Sequence, residues 1–75
     1  MPKVPPLQAK EVVRALKRLG FIEDRQKGSH LVMWNPKTGA RTVVPMHFGK
    51  TLKRGLLFGI IKDAQVSTEE FTKAL

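Results

Sequence analysis

Seventy-five residues suffice for one small domain, and at that length folding buries only about 60% of the chain's surface, so the core is thin. Fourteen Lys and Arg against six Asp and Glu give a formal charge of +8, which favours an anionic partner: nucleic acid, an acidic protein or a lipid surface. The lack of cysteine excludes disulfides and thiolate metal sites, and a hydrophobic content of 41% is too high for a disordered tail. No apolar stretch approaches the roughly 18 residues of a membrane span, and "MPKVPPLQ" has no apolar core to act as a secretion signal. A soluble cytoplasmic protein with no membrane partner is expected.

The chain reads as a single domain over residues 1–75, opened by an arm at residues 1–6. Pro5 and Pro6 close the arm and fix φ where a helix can start. From Leu7 to Leu19, the positions Val12, Val13, Leu16 and Leu19 recur at helical spacing, with Lys10, Arg14, Lys17 and Arg18 mostly on the other side. Gly20 supplies a left-handed stop. "FIEDRQ" is a strand candidate weakened by its acidic pair, "KGS" is a turn, and "HLVMWN" is a strand rich in branched and aromatic residues. "PKTG" makes a tight turn into "ARTVVPM", a returning strand ended by Pro45, which has no N–H for the ladder.

"HFGKTLKRG", with glycines set among basic residues, reads as a loop. Leu56, Leu57, Ile60, Ile61 and Ala64 then repeat at helical spacing. Gly59 costs this helix about 1 kcal/mol against alanine, tolerable where a strand or helix backbone packs against it. Ser67, with Glu70 three residues on, forms a capping box for a last short helix.

The order is therefore α-β-β-β-α with a small terminal helix. This is an α+β fold: a three-stranded antiparallel sheet with helices on one face, leaving the other face open to a ligand. If "PKTG" closes the hairpin symmetrically, His30 lies opposite Pro45, Val32 opposite Val43 and Trp34 opposite Arg41. His30, Val32, Trp34, Arg41 and Val43 then share one face, and Leu31, Met33, Thr42, Val44 and Met46 the other. The second set belongs under the helices, being apolar apart from one threonine. The first mixes an imidazole, an indole and a guanidinium, a composition suited to RNA bases or a protein partner. Trp34 is equally readable as core, and Val32 and Val43 as ordinary packing or a dimer contact.

Metal-dependent nuclease chemistry needs clustered carboxylates. Glu23 and Asp24 are adjacent on a strand and point to opposite faces, while Glu11, Asp63, Glu69 and Glu70 are scattered on helices. A Ser-His-acid triad fails too, since strand geometry turns Ser29 away from its neighbour His30. Metal-free RNA cleavage remains. RNA carries its own nucleophile, the 2′-OH, so a protein need only move protons and neutralise the developing charge. Histidine titrates nearest neutrality, and Lys and Arg stabilise the charged transition state. His30 has Arg25 and Lys27 just upstream, and His47 lies two residues beyond Pro45, within reach of the same edge. Most histidines are nonetheless structural or surface residues.

The segments "VVRALKRLGF", "RQKGSHLVMW", "TVVPMH" and "LKRGLLFGIIKDAQVS" together resemble the HicA family of toxins, small mRNA interferases of bacterial and archaeal toxin–antitoxin modules. The likeness runs from about Val12 to Ser67. Its most specific pieces are "GSH" after a strand, "VP.H" ending the third strand and "G.L..I.K.A" in the helix that follows. The resemblance implies a fold similar to double-stranded-RNA-binding domains, a translation-inhibiting endoribonuclease needing no metal or other cofactor, and neutralisation by a cognate HicB antitoxin. The family's active-site histidine maps onto His30, with Gly28 and Ser29 as shaping residues. His47 matches the "P.H" position without a settled role. Leu31 stands where many relatives have a second histidine, which removes a polar neighbour.

The expectation is thus a toxin that cuts mRNA. His30 serves as general acid or base and His47 as a possible second one, while Arg25, Lys27, Arg41, Lys50, Lys53 and Arg54 bind RNA phosphates. One alternative is a non-catalytic module that reads duplex RNA through Lys10, Arg14, Lys50, Lys53 and Arg54. Another is a protein-interaction domain docking an acidic partner through Val32, Trp34 and Val43.

Overall fold

The structure is a computed structural model describing residues 4–75; residues 1–3 of the expected N-terminal arm lie outside the described residues. Its elements are α1 (Ala9–Arg18), β1 (Ile22–Lys27), β2 (His30–Trp34), β3 (Arg41–Pro45), α2 (Arg54–Asp63) and a short α3 (Thr68–Lys73). The α-β-β-β-α order read from the sequence is the one observed.

Local chemistry sets the ends of α1. At its start the Gln8 N–H donates to Glu11 Oε1 at 3.0 Å, satisfying a backbone donor that the helix leaves unpaired. At its end Gly20 takes φ +99°, the Gly20 N–H donates to the Lys17 carbonyl at 3.1 Å, and the Phe21 N–H donates to the Leu16 carbonyl at 3.0 Å. This paired closure reverses the chain and delivers Phe21, 2% exposed, into the core. The helix starts at Ala9 rather than at Leu7, which is buried but precedes the first helical turn.

The three strands lie in the order β1-β2-β3, antiparallel throughout. The β2–β3 register is the expected one: His30 opposite Pro45, Val32 opposite Val43, Trp34 opposite Arg41. Asn35 fixes it from the turn. Its N–H donates to the Ala40 carbonyl at 2.9 Å, its carbonyl accepts from Gly39 at 2.7 Å, and its Oδ1 accepts from the Lys37 N–H at 2.9 Å. Its Nδ2 also reaches the Leu19 carbonyl at 3.4 Å, tying the hairpin turn to the end of α1. Asn35 therefore belongs to the turn rather than to the strand.

Alternation along the strands does the rest. Leu31, Met33, Thr42 and Val44 are buried, and Met46 packs half-buried against the same core. Val12, Leu16, Leu57, Ile60 and Phe71 from the helices are buried in the same core cluster. Thr42, the one polar member of this face, is accounted for by α2: its Oγ1 donates to the Ile60 carbonyl at 3.2 Å.

Two expectations for α2 change. It begins at Arg54, so the end of "HFGKTLKRG" is helical. Gly59 has nothing within 4 Å of where a Cβ would stand, so no backbone packs against it, and Leu56 is 44% exposed rather than part of the buried stripe. Both face a groove described below. The Ser67–Glu70 capping box at α3 forms as expected, with reciprocal hydrogen bonds of 3.0 Å. Among the described residues no helix is long and apolar enough to cross a membrane.

Two outcomes follow for stability. The Ile60 carbonyl also accepts the Ala64 N–H at 3.0 Å, so Thr42→Val leaves no buried group orphaned. The cost in urea denaturation is expected within about 1 kcal/mol, and a loss above about 3 kcal/mol would contradict the assignment. The Ser67 backbone N–H, followed by its hydroxyl, holds the Glu70 carboxyl below its ordinary value, against a smaller desolvation effect. A depressed carboxylate pKa stabilises the fold above its unfolded value, and that contribution is lost as pH falls through the folded value. Glu70→Gln is expected to make the acid-side fall of the melting temperature shallower than in the parent; identical profiles would refute the linkage.

Candidate active site on the uncovered sheet face

A two-residue turn presents His30. Lys27 and His30 are paired, leaving Gly28 and Ser29 as the loop, with φ +60° at Gly28 and no positive φ at Ser29. That is the type II′ pattern, whose first position calls for glycine. The turn is clamped from both sides. The Met46 N–H donates to the Ser29 carbonyl at 2.6 Å, extending the β3 ladder past Pro45, and Gln26 Nε2 donates to the Gly28 carbonyl at 3.2 Å. His30 is thus the first residue of the central strand, exposed, with Lys27 opposite on one side and Pro45 on the other. Cross-strand side chains at such positions stand about 5 Å apart at Cβ. Arg25, paired with Val32, lies on the same face.

The far end of this face is organised differently. The β1 register breaks between Glu23 and Arg25, making Asp24 an extra, bulged residue. Glu23 turns to the helix side and pairs with Lys17 at 2.7 Å, while Asp24 pairs with Arg41 Nη1 across the open face at 2.8 Å. The two acids point to opposite faces, as expected. The Arg41 guanidinium also lies over the Trp34 ring, 5.2 Å from its centroid. Trp34 is accordingly half-buried: it is a support for Arg41 rather than a core residue.

Helix α2 runs along the outer edge of β3 and makes a groove with it. His30, Val43 and Pro45 form the sheet side; Leu56, Gly59 and Asp63 stand on the helix side. Gly59 therefore keeps a path open beside His30, which gives a spatial reason for the missing side chain that helical propensity alone does not.

His47 lies beyond the strand end. It lines one depression with Pro45, Lys50 and Lys53 and another with Lys10 and Phe48. Neither contains His30, and Pro45 stands between the two histidines, so the structure does not place them in one cleft. Arg54 is farther off: its guanidinium lies 5.1 Å from the Phe58 ring centroid, and it borders a separate depression beside Pro5 and Pro6. Among the expected site residues, Arg25, Lys27, Gly28, Ser29 and His30 come together. Lys50 and Lys53 lie next door with His47, Arg41 closes the opposite end, and Arg54 stands apart. Among the described residues no three His, Asp or Glu side chains gather in a group able to hold a metal ion.

Sequence reasoning missed Asp24 as the partner of Arg41, Leu56 and Gly59 as the groove wall, and Phe48. Glycines four apart at Gly55 and Gly59 on one helical face, and an aromatic inside a basic glycine-containing segment, were the available signals.

This arrangement defines a small α+β domain with one sheet face under helices and a cationic, histidine-bearing face left uncovered. A model of the family described as the HicA toxin of bacterial toxin–antitoxin systems matches residues 9–66, and the chain belongs to that family. It is accordingly a toxin of a toxin–antitoxin pair, with an antitoxin as partner. A search of curated proteins gives no match.

The turn geometry separates the two residues before His30. Gly28→Ala has room for the methyl group but forces an L-residue to positive φ, and is expected to cost about 1 kcal/mol or more in denaturation. Ser29 acts through its carbonyl, so Ser29→Ala is expected within about 0.5 kcal/mol of the parent. Equal losses would contradict this division of roles.

Proposed function

We propose that the protein is a metal-independent endoribonuclease, a toxin that inhibits translation by cutting mRNA, with His30 as the group that moves the proton. The observation that carries this reading is the position of His30: exposed, at the head of the central strand, beside Lys27 on the face no helix covers. The imidazole takes the proton of a ribose 2′-OH, and the oxygen attacks the adjacent phosphorus. The bond from phosphorus to the 5′-oxygen breaks, and that oxygen leaves with a proton returned by the imidazolium. The products are a 2′,3′-cyclic phosphate and a 5′-hydroxyl end.

Arg25 and Lys27 offset the charge that builds on the phosphorane oxygens. Lys50 and Lys53 hold phosphates of the flanking strand. Arg41 joins them only by exchanging Asp24 for a phosphate. Gly28 and Ser29 act through the turn. His47 sits with the flanking lysines and contacts the strand rather than serving as the paired acid. A HicB-type antitoxin would silence the site by covering the same face, with Val32, Trp34 and Val43 as its apolar footing.

Purified protein is expected to cut RNA in the presence of EDTA. His30→Ala is expected to lower the rate at least about 100-fold, the usual reach of one general acid–base group, while keeping the parent's melting temperature. Cutting that survives the substitution would refute the mechanism, and RNA bound but left whole by the parent would favour a non-catalytic binding module.

A further inference from the structure

The loop from Met46 to Lys53 carries a feature that the cleavage chemistry does not use. Phe48 is 93% exposed, whereas the next most exposed large apolar residue among the described residues, Ile22, is 48% exposed. An aromatic ring left in water forgoes the burial that such a side chain normally contributes, about 1.5–3 kcal/mol. The loop is also built to hold it out. The Lys50 N–H donates to the His47 carbonyl at 3.3 Å and Gly49 has φ +74°, so Phe48 and Gly49 are the two central residues of a tight turn with glycine where positive φ is required. The base of the loop is anchored to the start of α1, where the Leu52 N–H donates to the Leu7 carbonyl at 2.8 Å and Thr51 bridges to Gln8.

The depression beside the ring has Ala9 and Met46 as its apolar floor and Gln8, Lys10 and His47 as its polar rim, with no acid. No acidic residue occurs between Met46 and Lys53; His47 and Lys50 flank Phe48, and Lys10 lies across the depression beside it. An exposed ring with Lys10 across the depression, Lys50 two residues on and no acid in its loop suits a flat, electron-rich group attached to a phosphate.

Three depressions lie side by side and share wall residues. Pro45 and Leu56 are shared by the His30 groove and the one holding Lys50 and Lys53, and His47 is shared by the latter and the one beneath Phe48. Phe48 follows Pro45 by three residues, so their Cα atoms are at most about 11 Å apart. Pro45 itself is the cross-strand neighbour of His30.

We infer that Phe48 is a stacking platform for an unpaired nucleobase, on a strand that runs from His30 past Lys50 to the loop tip, so that the substrate is single-stranded RNA. This rests on the RNA-cleavage reading above. A base within a duplex has both faces covered by its neighbours and cannot offer one to the ring; a base in a single strand can.

The test uses the full chain carrying His30→Ala, so that RNA is bound and not consumed. Binding of one labelled oligonucleotide is followed by fluorescence anisotropy at several salt concentrations, as a single strand and annealed to its complement. Adding Phe48→Ala is expected to weaken single-strand binding at least about fivefold, the lower end for loss of one stacked base. Duplex binding and the salt slope are expected to stay as they were, since no charge is removed. Phe48→Trp is expected to restore single-strand affinity. The inference is overturned if Phe48→Ala leaves single-strand binding unchanged, or weakens strand and duplex alike. A His30-intact protein whose single-strand binding depends on Phe48 but which never cuts would uphold stacking and refute the nuclease reading. One that cuts with unchanged KM after Phe48→Ala would do the reverse.

Discussion

The structure depends on the burial of Leu31 and Met33 from the central strand. Side chains alternate along a strand, so fixing those two against the helices fixes His30, Val32 and Trp34 on the opposite face. A slip of one residue would drive the imidazole and indole into the core and expose both apolar side chains. Each is worth about 1.5–3 kcal/mol of burial, far more than any surface contact of His30 could offset. The proposed reactive group is thus positioned by residues that never meet a substrate. The Gly28–Ser29 turn and its clamp from Met46 complete the constraint by setting where the strand begins.

Charge is distributed unevenly on the face that results. Among the described residues the ion pairs are Lys17–Glu23 and Arg41–Asp24, both drawing their acid from β1. The bulge at Asp24 directs one acid to each face and ties down the cation at the Trp34 end, whereas Arg25 and Lys27 at the His30 end have no carboxylate partner. Exposed ion pairs are worth at most about 1 kcal/mol, so a phosphate can displace Asp24 from Arg41 at small cost. At the His30 end the unpaired cations Arg25 and Lys27 stand on the sheet, while Asp63 is the carboxylate on the helix side of the same groove.

Much of this was legible beforehand because it follows from short-range rules. Two-residue alternation and the "PKTG" turn gave the β2–β3 register and both faces; Gly20 gave the helix stop, and Ser67 with Glu70 gave the cap. The features that were not legible depend on how elements meet. A bulge leaves no mark in the alternation of "IEDRQ", since every β1 residue is exposed. The separation of His47 from His30 is set by the buried Pro45 and by α2 lying along β3, neither of which a linear count of residues conveys. Gly59 looked like a packing accommodation and instead opens a groove, because helical spacing tells which residues share a face and not what that face meets.

The ends left on cut RNA test the central claim most directly. Proton transfer by His30 to and from the RNA's own hydroxyl predicts a 2′,3′-cyclic phosphate on one fragment and a 5′-hydroxyl on the other, with no cut where a 2′-deoxy nucleotide replaces the attacking ribose. Fragments ending in 5′-phosphate and 3′-hydroxyl would mean that water attacks the phosphorus, and would contradict the account.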